Sequence, residues 1–135
     1  MTLVRWKDSY SVKVAKLDAQ HKIFFEMINE LADAMRKGQG AATIQPTLAK
    51  LMKHLRIHME DEEKLMRHTG YPQLVAHQEE HRLYLLRVER FKTDLEKTGN
   101  EDTVALLCIL RDIILDHMLR VDVACLAHFS DNGIH

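Results

Sequence analysis

Apolar residues recur along four stretches of the chain at alternating spacings of four and three positions. Residues three and four apart project from the same face of an α-helix, so each stretch predicts a helix with an apolar face turned towards a core. The apolar positions of the four predicted helices begin at Leu17, Ile44, Leu74 and Leu106 and end at Met35, Leu65, Leu95 and Ile113. The dominant pattern is therefore that of four amphipathic helices.

Turn residues between these stretches indicate where each helix begins and ends. Asp18 and Asn100 are expected to cap the first and fourth helices, because their side chains accept hydrogen bonds from unpaired backbone amides. Pro46 is expected in the first turn of the second helix, where its missing N–H costs nothing, and Gly70 to Pro72 breaks the chain before the third. The expected helices cover 18–37, 43–68, 72–97 and 100–126.

Four helices joined by three short turns predict an all-α fold, an up-down-up-down four-helix bundle. Residues 1–17 alternate polar and apolar positions without a partner strand, so we expect an extended N-terminal arm over the bundle, with Trp6 packed against it. Residues 127–135 are expected to form a frayed tail. The chain 1–135 should thus form a single domain: arm 1–17, bundle 18–126 and tail 127–135.

Charge and cysteine content narrow the classes of partner and compartment. Lys and Arg number 19 against 20 Asp and Glu, without a block of like charge, so neither nucleic acid nor a membrane is expected as a partner. Cys108 and Cys125 are the two cysteines, which suits buried thiols in a reducing compartment. The N-terminus lacks the apolar region of a signal peptide, and these features together predict a cytoplasmic protein.

Polar residues interrupt the apolar series at positions that face the core. Because neighbouring helices run antiparallel, the first and third helices begin at the end of the bundle where the second and fourth finish. The residues concerned all lie at that end: His21, His58, Glu62, His77, His81 and His117. Burying each without a partner would cost about 2 kcal/mol or more. A bound metal accounts for the set best, and imidazole with carboxylate suits iron, zinc or copper.

The residue types and their spacing leave three alternatives to weigh against such a site. A ferritin-like di-iron site uses Glu-x-x-His motifs, and no histidine here has a glutamate three positions before it. A structural zinc site needs only four ligands, usually including cysteine, and would leave histidines without a role. A bundle without metal would tolerate His77→Ala or Glu62→Ala, or even gain stability from them.

Five short motifs together resemble the bacteriohemerythrins, bacterial members of the hemerythrin family. The motifs are His21 in LDAQH, His58 and Glu62 in HMEDEEKLM, the turn Gly70-Tyr71-Pro72, His77 and His81 in HQEEH, and His117 with Asp122 in HMLRVD. The resemblance covers nearly the whole chain, including the arm with Trp6. All seven positions that ligate metal in the family are filled here.

The resemblance implies a non-haem di-iron centre: two iron ions with a bridging oxo or hydroxo group. One iron would be held by His77, His81 and His117, the other by His21 and His58, with Glu62 and Asp122 bridging both. This leaves one position open on the iron with two histidines, where dioxygen is the expected ligand. Asp122 is not reached by the helical spacing, because five residues after His117 it lies about 140° round an ideal helix. Either the helix deforms there or the metal draws the carboxylate across.

The function implied is reversible dioxygen binding for carriage, storage or sensing, without enzymatic turnover. The alternatives are a di-iron enzyme that reduces oxygen, peroxide or nitric oxide, and an interaction module that senses iron or oxygen. An electron donor or an oxygen-accepting protein is an expected further partner.

Several residues near the predicted site have an open or bland role. Ile113 stands where the family commonly has tryptophan, and His54 is expected to be solvated or to lie behind the ligands. The acidic runs 60–63 and 79–80 are expected to be solvated, apart from Glu62. Apolar core residues near the site could exclude water: Phe24, Phe25, Leu55, Met59 and Met118. Three further histidines are expected at the surface: His68, His128 and His135.

Overall fold

The computed structural model describes residues 3–135, and the first two residues of the expected arm lie outside this range. The long helices are α1 (Ala15–Arg36), α2 (Gly40–Thr69) and α3 (Leu74–Thr98). A fourth segment begins as α4 (Thr103–Asp112), continues as a π-helix (Ile113–Asp122) and a 3-10 turn (Val123–Cys125), and ends in α5 (Leu126–Asp131). The predicted all-α four-helix bundle is confirmed.

The first helix begins one turn earlier than expected, and Asp18 does not cap it. The N-terminal flanking residue is Val14, and Asp18 lies in the first turn. The Asp18 carboxylate instead accepts hydrogen bonds from the Ser11 hydroxyl and from the Val12 backbone amide at 2.9 Å. These bonds tie the arm to α1, so the predicted cap at Asp18 is wrong.

The second helix also begins earlier, at Gly40, because its first turn carries small residues that leave no apolar pattern. The Thr43 hydroxyl donates to the Gly40 carbonyl at 2.7 Å within that turn. Pro46 therefore lies in the second turn, which contradicts the expected position. A Cβ added at Gly40 would lie 2.9 Å from Thr103 Cγ2, so this end of α2 packs closely against α4.

Two further helix starts differ from the predicted ones. Asp102, and not Asn100, caps α4, and its side chain accepts the Ala105 amide at 2.9 Å. The third helix begins at Leu74 and not at Pro72. Gly70 ends α2 with φ 67°, a left-handed conformation that glycine adopts without steric cost.

The C-terminal residues do not form a frayed tail, because Phe129 anchors them. Its side chain is 1% exposed in a small core with the arm and with α1. The other buried members of that core are Val12, Val14, Leu17, Met66 and Cys125. Burying an aromatic ring stabilises by roughly 2 kcal/mol or more, which is sufficient reason for α5 to order.

The arm packs on the main core as expected. The Trp6 ring centroid lies 5.5 Å from that of Phe25 and 6.0 Å from that of Tyr10, both edge-on. The Asn29 side chain accepts the amides of Leu3 and Val4 at 2.9 and 3.0 Å. Among residues 3–135, no helix is both long enough and apolar enough to cross a bilayer.

Candidate metal centre

Five imidazoles and two carboxylates meet in the core at one end of the bundle. His21 comes from α1, His58 and Glu62 from α2, and the other four from α3 and the π-helix. Each of the seven is at most 3% exposed: His21, His58, Glu62, His77, His81, His117 and Asp122. The structure therefore brings together every residue that the sequence and the family resemblance single out as a candidate ligand.

These residues form two overlapping groups whose ligand atoms lie within 4.8 Å of one another. The first group contains three histidines with Glu62 and Asp122, and the second contains two histidines with the same two carboxylates. We call them the three-histidine end (His77, His81, His117) and the two-histidine end (His21, His58). Sharing both carboxylates is the arrangement expected of two ions held side by side.

Asp122 divides its two oxygen atoms between the ends. Oδ1 lies 3.1 Å from His77 Nε2 and 3.2 Å from His117 Nε2, while Oδ2 lies 3.0 Å from His21 Nε2 and 3.3 Å from His58 Nε2. Each oxygen thus faces one group of imidazoles.

Glu62 makes the same division from the opposite helix. Its Oε1 contacts His77 Nε2 and lies 3.1 Å from His81 Nε2, while Oε2 lies 3.3 Å from His58 Nε2. Both carboxylates therefore have the orientation of bridging ligands.

The π-helix shows how Asp122 reaches the cluster. In an α-helix, a residue five positions after His117 would point away from it. The i→i+5 hydrogen bonds of a π-helix instead bring residues five apart close to one full turn apart. Ile113–Asp122 adopts this geometry. Of the two alternatives that the sequence leaves open, it is therefore the helix that deforms.

The donor set has more inward-facing acceptors than the surrounding protein satisfies. Within the part of the chain that the structure describes, His21 Nε2, Glu62 Oε2 and Asp122 Oδ1 are buried without a hydrogen-bond partner. The Nε2 atoms of His81 and His117 face each other at 3.0 Å. Buried polar atoms are normally paired, so this cluster has the chemistry of a cation site.

The electrostatics of the cluster also favour positive charge. Burial lowers the pKa of His58, but Glu62 and Asp122 outweigh burial and raise it to about 9. Burial likewise opposes a charged His117, yet Asp122 and Glu62 raise its pKa to about 10. Burial would raise the pKa of Glu62, but the neighbouring imidazoles, His58 foremost, hold it well below its usual range. A multivalent cation would satisfy the same field.

Comparison with known proteins agrees with this geometry. Residues 12–123 match the Hemerythrin HHE cation binding domain. The chain belongs to the hemerythrin family. Membership of this family and the shared fold support a di-iron, oxygen-binding protein.

Individual relatives of this hemerythrin-family chain are moderately similar in sequence. It is 29% identical to the bacteriohemerythrin of Campylobacter jejuni over 85% of this chain and 86% of that protein. It is 27% identical to the bacteriohemerythrin of Stenotrophomonas maltophilia, over 92% and 80% of the two chains. A crystal structure of a hemerythrin mutant superposes with a TM-score of 0.82 at 27% identity, covering 96% of this chain and 99% of that one.

Three polar side chains behind the ligands are not identified by the sequence pattern. The Nδ1–H of His81 donates to Glu63 Oε2 at 2.7 Å, and that of His117 donates to Glu80 Oε1 at 3.4 Å. The Nδ1–H of His58 donates to the side-chain oxygen of Gln20 at 2.9 Å. The predicted solvated faces are therefore wrong for Glu63 and Glu80. Both lie beside ligands in sequence, but only the packing of α2 against α3 and of α3 against the π-helix makes the contacts.

These bonds also settle which ring nitrogen faces the cluster. A proton on Nδ1 leaves Nε2 unprotonated in a neutral imidazole. That is the form in which a histidine binds metal, with its other nitrogen oriented by an outer acceptor. In this member of the hemerythrin family, His58, His81 and His117 all have that arrangement.

The remaining predicted residues fall into clear positions. Ile113 is fully buried in the main core, where it fills the place of the family tryptophan. His54 is half-buried and outside the cluster, and burial together with Lys50 and Lys53 lowers its pKa. His128 is not a free surface residue, because its Nε2 lies 2.8 Å from the Thr69 hydroxyl. The water-excluding candidates are all buried: Phe24, Phe25, Leu55, Met59 and Met118.

Proposed function

We propose that this chain binds dioxygen reversibly at a pair of iron ions, for carriage, storage or sensing of oxygen. The observation that carries the proposal is the division of both shared carboxylates between the two ends of the cluster. A single-metal site would need only one such group. Two ions a few ångströms apart account for all seven inward-facing side chains at once.

In this proposal His77, His81 and His117 hold one iron, and His21 and His58 hold the other. Glu62 and Asp122 bridge the two, each with one oxygen towards each end. A bridging oxo or hydroxo group completes the centre and leaves a binding position at the two-histidine end. The irons supply the electrons that dioxygen borrows on binding, and the protein supplies a rigid frame.

The surroundings of the two-histidine end favour binding over turnover. The Phe24 ring packs edge-on against His58, with centroids 5.9 Å apart, and both side chains are fully buried. Apolar walls exclude water and protons, which would otherwise help release reduced oxygen species and leave the irons oxidised. An imidazole-rich donor set also stabilises high-valent iron less well than a carboxylate-rich one.

An anaerobic titration with iron(II) tests the proposal. We expect two irons per chain, then a visible charge-transfer band when air is admitted, and loss of the band when oxygen is removed. Met59, which is buried but is not a proposed ligand, provides a matched control: Met59→Leu should retain both irons, whereas Asp122→Ala should not.

The same experiment separates the alternatives. A band that forms once and decays irreversibly to the oxidised form, with repeated consumption of oxygen or peroxide, would favour a di-iron enzyme. Uptake of fewer than two irons by the intact chain would contradict the di-iron proposal.

A further inference from the structure

The hydrogen bonds behind the ligands differ between the two ends of the cluster. At the three-histidine end, two ligands donate from Nδ1–H to carboxylates: His81 to Glu63 and His117 to Glu80. At the two-histidine end, His58 donates to a neutral amide, Gln20. The chain therefore places negative charge behind one end and an uncharged acceptor behind the other.

The neutral acceptor at the two-histidine end is itself held in place. Gln20 donates from Nε2 to Asp61 Oδ2 at 2.7 Å, and Lys16 Nζ lies 3.2 Å from the same oxygen. This donation fixes which amide atom faces His58, because only the oxygen can accept from Nδ1–H. The charge of Asp61 is thus one residue removed from the imidazole and offset by a lysine.

A carboxylate acceptor changes a metal-bound histidine more than an amide does. Hydrogen bonds to an ionised acceptor are roughly twice as strong as neutral ones. They draw the Nδ1 proton away from the ring and make Nε2 a better electron donor. A better donor binds a metal ion more tightly and stabilises its more highly charged oxidation state.

We propose that Glu63 and Glu80 are positioning residues that make the three-histidine end the stronger electron donor, while Gln20 keeps the two-histidine end weaker. The iron at the three-histidine end is then held more tightly and is oxidised first in a one-electron oxidation. This inference rests on the proposed di-iron function, which it deepens by distinguishing the roles of the two irons.

The two carboxylates should not contribute equally. The hydrogen bond from His81 to Glu63 is 2.7 Å long, whereas that from His117 to Glu80 is 3.4 Å. Glu80 also lies 3.8 Å from the guanidinium of Arg120, which offsets part of its charge. The effect of Glu63 should therefore exceed that of Glu80.

The test uses Co²⁺ under argon and then iron, on variants that preserve shape. Glu63→Gln and Glu80→Gln remove a charge but retain an acceptor oxygen. Glu60→Gln removes the charge of an exposed residue on the same helix and serves as the matched control. The stepwise Co²⁺ affinities come from chelator competition, and the iron potentials from spectroelectrochemistry.

We expect Glu63→Gln to weaken the tighter Co²⁺ step about tenfold, the lower end of outer-ligand effects, and to leave the weaker step within about twofold. The first iron potential should rise by about 59 mV, the equivalent of a tenfold change for one electron. Glu80→Gln should do the same to a smaller extent, and Glu60→Gln should change neither quantity.

A reciprocal variant tests the same idea from the other end. Gln20→Glu with Asp61→Asn moves the carboxylate next to His58 and restores a donor beside it. This double variant should tighten the weaker Co²⁺ step. It keeps the inference testable even if Glu63→Gln folds poorly, which circular dichroism would reveal.

Two outcomes would overturn the inference: equal effects of Glu63→Gln and Glu60→Gln, or effects of Glu63→Gln on the weaker step alone. Failure of the proposed function has a different signature. In that case the wild-type chain takes up two Co²⁺ but does not hold two irons, and the Co²⁺ affinities of the variants still decide whether the ends differ.

Discussion

Replacing Glu62 by glutamine should weaken the binding of both metal ions, whereas replacing His21 should weaken only one. Glu62 Oε1 faces His77 and His81, and its Oε2 faces His58. His21 Nε2 belongs to the two-histidine end alone. The prediction follows directly from which atoms are shared, and it does not depend on which metal is used.

The size of the effect can be bounded. Changing a partner behind a metal ligand typically costs 10- to 100-fold in affinity, so losing a ligand oxygen should cost at least as much at each metal. That is about 1.4–2.7 kcal/mol per ion, or about 3–5 kcal/mol for the pair. At a metal concentration 1,000 times the wild-type dissociation constant, each ion stabilises the fold by about 4 kcal/mol. Glu62→Gln should reduce this to about 1.4–2.7 kcal/mol or less per ion.

The assay is urea unfolding of each variant with and without Co²⁺, together with titration of the metal. Glu62→Gln should weaken both binding steps and His21→Ala one step, while His81→Ala should weaken the other step. The metal-free unfolding curve of each variant provides the baseline. If Glu62→Gln weakened a single step and left the other intact, the carboxylate would not be shared and the reasoning would be refuted.

Three other predictions concern the protein without metal. The pKa of His58 is about 9 in the folded chain against 6.5 when unfolded, so its contribution, about 3 kcal/mol, is present below pH 6.5 and lost as the pH rises through 9; unfolding midpoints that did not fall between pH 7 and 10 would contradict this. Phe129→Ala should destabilise by about 3–5 kcal/mol in urea unfolding, because the ring is 1% exposed, whereas Leu115→Ala, at a half-exposed position, should cost far less. Gly40→Ala should destabilise by about 1–3 kcal/mol, because the new Cβ would meet Thr103 Cγ2 at 2.9 Å, and Thr103→Ser, which removes that methyl, should restore most of the loss.

Much of the bundle can be predicted from the spacing of apolar residues. The period of four and three identifies the face of each helix that turns inward, and His58 and Glu62 share that face because they are four residues apart. Helix ends are less predictable. Gly40 begins α2 in a stretch of small residues without a pattern, and Asp18 resembles a cap although its carboxylate is bonded to the arm.

The candidate site divides in the same way. Helical spacing identifies six of its seven residues, but only the family resemblance indicates Asp122. The position of Asp122 depends on a π-helix, and residue-by-residue patterns assume the regular α-helical period. The pattern places Glu63 and Glu80 on the solvent side, because their contacts lie across two helices and not along one.

The sequence by itself determined the four amphipathic helices, their order, and the end of the bundle at which the polar side chains gather. These properties depend on residue type and on spacing within one helix, which are local. Only the tertiary structure decided that the last helix widens to a π-helix at His117, that α5 folds back through Phe129, and that carboxylates stand behind one end of the cluster and an amide behind the other. Those features arise because side chains from different helices compete for the same space and the same hydrogen bonds, and that competition exists only once the helices have packed.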